Sequence, residues 1–376
     1  MSWFSPRRAI PLAAILLLIP LLFWSSRFGT PTQQLQNLSA LYHDAVLRAG
    51  RPPFFPGVAK SSGAPYSRIL VVAKTLDENV RWIDEELPDL KKAIYEVDKP
   101  GANYSVPKNK GNEAMVYLTY IVDHYSELPD IVIFVHAHSA AWHNNILLDL
   151  HMPTTIQRLS DDRVTRQGYM NLRCHLAPGC PDWIHLERAE MDFDMQRKPE
   201  EKHFSTKLFL ELFPGHRPPP ALSQPCCAQF ALSRERIRDN PKKLYVHIRD
   251  WLLKTDLNDA DSGRVLEYMW QYLFTRNAEH CPSTNSCYCD GYGVCFGNAT
   301  MLDDWLEKYK MKESVDDEMG IAKRKGDGPD VIAEIEGRRS ALETELNEGR
   351  EEAYKRGESE RNRAAARERV TNYGYS

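Results

Sequence analysis

Three short apolar runs constrain this chain most: Ile69-Leu70-Val71-Val72-Ala73, Ala93-Ile94-Tyr95-Glu96-Val97 and Ile131-Val132-Ile133-Phe134-Val135. Each has the length of a strand, and turn-forming residues bound it. In the first and third, continuous apolarity rather than alternation marks a strand buried on both faces; the second carries Glu96 and reads as a strand beside them. Helical spacing fills the gaps. Asn79 to Leu90 places Val80, Ile83 and Leu87 on one side, and Asn112 to Tyr125 does so with Met115, Leu118, Ile121, Val122 and Tyr125. Strands alternating with helices predict an α/β fold, a mostly parallel sheet covered on both faces.

Further along, Gln229-Phe230-Ala231-Leu232 reads as another strand, with Ser233 as N-cap of the helix that follows. Pro241 to Leu253 and Gly263 to Phe274 read as helices, and Cys281 to Cys295 as a compact Cys/Gly loop. Ile332 to Val370 is dense in Glu, Arg, Lys and Ala. With few large apolar residues, it is expected to be a solvated helix or disordered, outside the core.

The N-terminus sets the compartment. Arg7 and Arg8 precede an uncharged, almost wholly apolar segment from Ala9 to Trp24. As a helix it would span about 24 Å, near the thickness of a thin secretory-pathway bilayer. The cationic flank predicts a cytosolic N-terminus. Phe23-Trp24-Ser25-Ser26-Arg27 is a poor cleavage site, which favours a retained signal anchor over a cleaved signal peptide. The expected organisation is a cytosolic tail (1–8), a transmembrane anchor (9–25), a stem (26–66), a lumenal α/β domain (67–300) and a charged tail (301–376). The expected product is a single-pass type II membrane glycoprotein of the secretory pathway. Sequons at Asn37, Asn103 and Asn298 agree with that, as does an even count of eight cysteines: Cys174, Cys180, Cys226, Cys227, Cys281, Cys287, Cys289 and Cys295. Cys174 and Cys180 enclose a Pro/Gly turn and suit a local bridge; the adjacent Cys226 and Cys227 are expected to reach elsewhere. With a net charge of −4 the chain has no overall basic character for nucleic acid.

Several stretches together carry a family resemblance. They are Lys74-Thr75 with Glu78 and Trp82, Asn109-Lys110-Gly111-Asn112-Glu113-Ala114, Val135-His136-Ala137-His138 with Trp142-His143-Asn144-Asn145, Gly168 to Cys174, Cys226-Cys227-Ala228-Gln229-Phe230, and Cys287 to Cys295. From Arg68 to about Gly297 the chain resembles the fungal family known as domain of unknown function 3431. Its first half is similar, more distantly, to nucleotide-sugar glycosyltransferases of the GT-A type. That resemblance implies a GT-A-like fold and a glycosyltransferase-like enzyme acting on glycans, with a nucleotide-sugar as the implied partner. GT-A enzymes place Asp-x-Asp at a strand end to hold a metal; this chain has His136-Ala137-His138 there.

The polar residues beyond the apolar runs are the site candidates, because ligands of parallel sheets bind past the carboxyl ends of the strands. His136 and His138 share a face of extended chain and could hold a divalent metal or hydrogen-bond a sugar, with His143 beside them and Trp142 as a stacking surface. Asn109, Gly111 and Asn112 precede a helix whose free N–H groups could take an anion, or could simply be capped. Asp77 and Glu78 would face the nucleotide of a nucleotide-sugar, or serve as acids at a helix start. Arg264 and Glu267 lie at i and i+3, as a phosphate ligand and a general base or as a structural ion pair. Asp192-Phe193-Asp194 and Asp259-Ala260-Asp261 have metal-ligand spacing without a preceding apolar strand. The alternatives to a transferase are a non-catalytic glycan-binding or scaffold protein and a histidine-metal hydrolase.

Overall fold

A computed structural model describes residues 57–99, 101–187 and 198–368. The apolar segment Ala9 to Trp24, most of the stem, Asn37 and the Asp192/Asp194 pair lie outside the described residues. Among the described residues no helix is long and apolar enough to cross a membrane.

In chain order the strands are β1 (Arg68–Lys74), β2 (Lys91–Glu96), β3 (Ile131–His136), β4 (Tyr169–Asn171), β5 (Ile184–His185), β6 (Ala221–Leu222) and β7 (Phe230–Ser233). The helices are α1 (Arg81–Glu86), α2 (Glu113–His124), α3 (Met152–Arg158), α4 (Asp161–Gln167), α5 (Thr206–Leu212), α6 (Arg234–Asp239), α7 (Lys242–Lys254), α8 (Asp259–Glu267), α9 (Trp270–Thr275), α10 (Thr284–Tyr292), α11 (Ala299–Lys325), α12 (Pro329–Gly357) and α13 (Glu360–Ala365). Thr206–Pro218, which carries α5, belongs to a separate compact unit.

The fold is α/β, with a five-stranded sheet in the order β2-β1-β3-β7-β4. β1 pairs parallel to β2 and β3; β7 runs antiparallel to both β3 and β4. The three apolar runs are therefore adjacent parallel strands. On one face Leu70, Val72, Ile133 and Val135 meet Trp82, Ile156, Tyr288 and Tyr292. The other is an aromatic layer: Tyr117 of α2 packs on Phe134 (ring centroids 4.7 Å apart) and Phe230 (5.6 Å), and Trp270 of α9 closes on Phe230 (5.4 Å).

Several elements differ from the sequence reading for identifiable reasons. α1 stops at Glu86 because Pro88 cannot continue a helix and Leu87 precedes it. The helix expected over Gly263 to Phe274 is two, and the first begins earlier because Asn258 caps it by accepting from Asp261 N–H. The Cys281 to Cys295 loop contains α10, capped by Ser283 and ended by Gly293 at φ 67°.

The disulfides correct two expectations. Cys174 bridges Cys287 across 113 residues and Cys180 bridges Cys281 across 101, so no local Cys174–Cys180 bridge forms. Cys226 and Cys227 bridge each other, and Cys289 bridges Cys295. The two long bridges tie α10 and the segment before it to β4 and the loop that follows. Loops of about 100 residues correspond to about 4–5 kcal/mol each in the chain-entropy model.

The charged C-terminal segment is not excluded from the core. α11 and α12 form an antiparallel hairpin. Leu302, Trp305, Leu346 and Ala353 join the main hydrophobic cluster, and Val315, Met319, Ala322 and Ile335 form a second one within the hairpin. Small residues allow the approach: Cys295 N–H donates to Ala353 O at 2.9 Å, and a Cβ on Gly357 would lie 1.8 Å from Gly293 O. Ion pairs such as Lys308–Glu345 and Arg338–Glu318 decorate the exposed faces and contribute little. Trp305, 7 % exposed, donates its indole N–H to Leu346 O at 2.9 Å. Trp305→Ala is expected to cost about 3 kcal/mol, lowering Tm by roughly 6 °C or more. An unchanged melt would return this hairpin to the status of a solvated appendage.

Candidate functional site

The carboxyl ends of β1 and β3 lie side by side, with Ala73 opposite His136 in the register. The loop after β3 is tied at several points. Trp82 donates its indole N–H to Ala137 O at 2.8 Å, and His136 N–H donates to Gln229 Oε1 at 3.1 Å. Gln229 Nε2 donates in turn to Asn144 Oδ1 at 3.0 Å. Asn145 donates to Leu172 O and accepts from Cys174 N–H. Trp82, Asn144, Asn145 and Gln229 are thus the frame on which the histidines stand.

On that frame the histidines take separate partners. His136 Nε2 lies 3.9 Å from Glu113 Oε2, and His138 Nε2 lies 3.7 Å from Glu78 Oε1. The other oxygen of Glu78 accepts from Thr75 N–H at 2.7 Å, a local turn bond. His143 meets His136 edge to face with ring centroids 5.2 Å apart, and Trp142 meets His143 at 5.4 Å. Trp142 is 67 % exposed, with the Arg173 guanidinium 5.3 Å from its ring. The Nε2 atoms of His136 and His143 are buried and have no hydrogen-bond partner. Burial, reinforced by the neighbouring histidines, pushes the His136 pKa down to about 3. Burial and the Arg173 charge push His143 down to about 4. Both rings are therefore neutral near pH 7, and each can offer a lone pair to a ligand hydroxyl.

Glu113, the first residue of α2, is the carboxyl beside His136. Burial raises its pKa, Glu267 adds to the rise, and the value reaches about 8. Its side chain keeps 14 % exposure beside His136. Glu267 is 9 % exposed and fixed on both oxygens: Arg264 donates to Oε2 at 2.7 Å and Cys227 N–H donates to Oε1 at 2.7 Å. The Arg264–Glu267 ion pair read from their spacing is present.

The start of α2 is not open to an anion. The Asp259 carboxylate accepts from Gly111 N–H and, at 3.3 Å, from Asn112 N–H. Asn112 makes no side-chain cap, having φ 50°. Asp259 therefore takes the place expected for a bound anion, and Asp261 is engaged by His203 at 2.9 Å. Gly263 permits this docking, since a Cβ there would lie 2.7 Å from Asn112 Nδ2. Asn109 and Asp77 are exposed on their loops. Among the described residues the one group of three metal-ligand atoms within 4.8 Å of one another is Cys226, Cys227 and Glu267, and those sulfurs are joined as a disulfide. His136 and His138 gain no third ligand, so the arrangement does not fit a preformed metal centre at the histidines. Asn103 and Asn298 are exposed, and Asn298 caps α11 through Oδ1.

Fold and site together define a disulfide-bonded α/β protein with a cluster of carboxyl and imidazole groups at the ends of its parallel strands. Residues 70–290 match the family described as protein of unknown function DUF3431, and the chain belongs to that family. No curated protein and no solved structure matches the chain.

Glu113 was visible in the sequence only as part of a motif. Its signal is a carboxylate at the first turn of a strongly apolar helix, which reads as ordinary dipole complementarity. Its raised pKa has a measurable consequence. An unfolded chain releases this proton near 4.5, the folded chain near 8. Between those values the folded state binds the extra proton, so stability falls as pH rises through the window. Glu113→Gln removes that slope. The variant is expected to gain on the wild type by about 3.5 kcal/mol, roughly 7 °C in Tm, between pH 5 and pH 8. Parallel Tm profiles for the two proteins would show that Glu113 titrates normally.

Proposed function

We propose that the protein is a membrane-anchored, lumenal enzyme of the secretory pathway that acts on glycans by glycosyl transfer, with Glu113 as general acid and Glu267 as general base. The observation that carries this reading is the carboxyl pair. One member has its pKa pushed up to about 8, and the other is held by an arginine and a backbone N–H. A carboxyl protonated at neutral pH beside a second, hydrogen-bonded carboxyl can divide acid and base roles with it. Protonated Glu113 gives its proton to the leaving oxygen as the bond from the anomeric carbon to that oxygen breaks. Glu267 takes the proton of the acceptor hydroxyl as the new bond forms. The two carboxyls then exchange protons with solvent to reset. His136 and His143 accept from sugar hydroxyls, and Trp142 offers its open face for stacking.

The reading favours a glycoside as donor over a nucleotide-sugar. A diphosphate needs a cationic or N–H cradle, and Asp259 occupies the one at the start of α2. A GT-A-type fold remains an expectation from resemblance, and a divalent metal one from the spacing of His136 and His138. A non-catalytic glycan-binding role is favoured separately by the exposed Trp142 under Arg173.

The test is incubation of the full-length protein in detergent with fluorescently labelled oligosaccharides, with and without added nucleotide-sugars, read by chromatography. Wild type is expected to convert an oligosaccharide, and Glu113→Gln and Glu267→Gln to lower the rate by about 100-fold or more. Trp142→Ala is expected to weaken saturation. Binding with no conversion under any condition would assign the cleft to recognition, and full activity in Glu113→Gln would remove the proposed acid.

A further inference from the structure

Away from the cleft, a cavity of about 380 Å³ opens beside β4 and α10, lined by Arg163, Tyr169, His280, Cys281, Cys287 and Glu368 among others. That volume suits a small molecule. Two features inside it bear on what it would take. Arg163 is 3 % exposed; its Nη1 is engaged by Ser286 and Asp290, whereas its Nε is buried with no partner. The second is the start of α10, a nine-residue helix capped by Ser283, whose side chain accepts from Ser286 N–H. The Ser283 N–H already holds a carboxylate: Glu368, following α13, accepts from it at 2.7 Å and lies 3.8 Å from Arg163 Nη2. A buried guanidinium and a helix N-terminus converging on one carboxylate make an oxyanion site. His280, on the cavity wall, is pushed down to about 4 by burial and by the charges of Arg163 and Arg236.

We propose that this cavity is a second binding site, for a small molecule bearing a carboxylate or phosphate group, and that Glu368 is the internal anion such a ligand displaces. Nothing in the glycan-directed reading of the cleft is needed for it. Glu368 sits at a site 36 % exposed and on the segment after the last helix, so it can leave without unpicking a folded element. Asp290 does not compete for the same place. It is sequestered by Arg163, Arg166 and Arg367 in a buried network. Among the lining groups, only Glu279, exposed at the rim, adds a further negative charge.

The experiment measures binding of inorganic phosphate and of acetate to the full-length protein by calorimetry and thermal shift, at ionic strength held constant with chloride. Wild type is expected to bind weakly against its internal carboxylate. Glu368→Gln, which keeps the shape and removes the charge, is expected to bind at least ten-fold more tightly. Phosphate tightening alone points to a phosphorylated ligand, and equal tightening for acetate to a carboxylate. Arg163→Lys in the Glu368→Gln background is expected to abolish the gain, because a single ammonium cannot replace the guanidinium fork. The melt of that double variant in chloride alone reports whether it folds. No gain in Glu368→Gln overturns the proposal, as does a gain that survives Arg163→Lys in a folded protein.

Discussion

The cleft depends on one contact: the docking of α8 on the start of α2. Asp259 takes the N–H groups of Gly111 and Asn112, and Gly263 leaves room for the Asn112 side chain. A helix N-terminus left bare in a buried setting would cost unsatisfied donors. Asp259 satisfies them from outside the helix, and the negative charge there suits the dipole. The same docking brings Glu267, at the other end of α8, close enough to Glu113 for its charge to raise the Glu113 pKa. A capping interaction thus sets the electrostatics of the site. It also closes the anion position that residues 109 to 112 suggest when read in isolation.

Disulfides brace the other side of this arrangement. The Cys226–Cys227 bridge precedes Gln229, and Cys227 N–H fixes one oxygen of Glu267. Gln229 then holds the His136 backbone and Asn144. One short segment therefore fastens both walls of the cleft, the carboxylate of α8 and the histidine loop after β3. The long bridges from Cys174 and Cys180 anchor α10, and α10 carries the surface against which the C-terminal hairpin packs.

The sheet was legible because continuous apolarity has one explanation in a chain with intervening helical spacing. β1, β2 and β3 fall within two residues of the runs that announced them. β4 was not legible as a strand: a three-residue edge strand paired to an antiparallel neighbour leaves no periodic trace. The hairpin α11–α12 was legible as helix but not as core. Its contacts come from widely spaced Trp305, Leu346 and Ala353 and from glycines, which a count of large apolar residues overlooks. At the site, the histidines, Trp142, Arg264 and Glu267 were legible from position, because they follow strands or share a helix face. Glu113 was hidden by its conformity to helix-start chemistry. Asp259 was hidden because its partner lies 148 residues away. The pairing of Cys226 with Cys227 ran against the ordinary expectation for neighbours, and spacing alone cannot reveal it.

The chemistry of the site turns on the protonation of one carboxyl, and that can be observed directly. The protein would be labelled with ¹³C at glutamate side-chain carboxyls and followed by NMR from pH 4 to pH 10, with Glu113→Gln identifying the resonance. The predicted result is a Glu113 midpoint near 8 that falls when Glu267 is replaced by glutamine. A Glu113 midpoint near 4.5, unmoved by that replacement, would contradict the coupled carboxyl pair and with it the acid–base reading of the cleft.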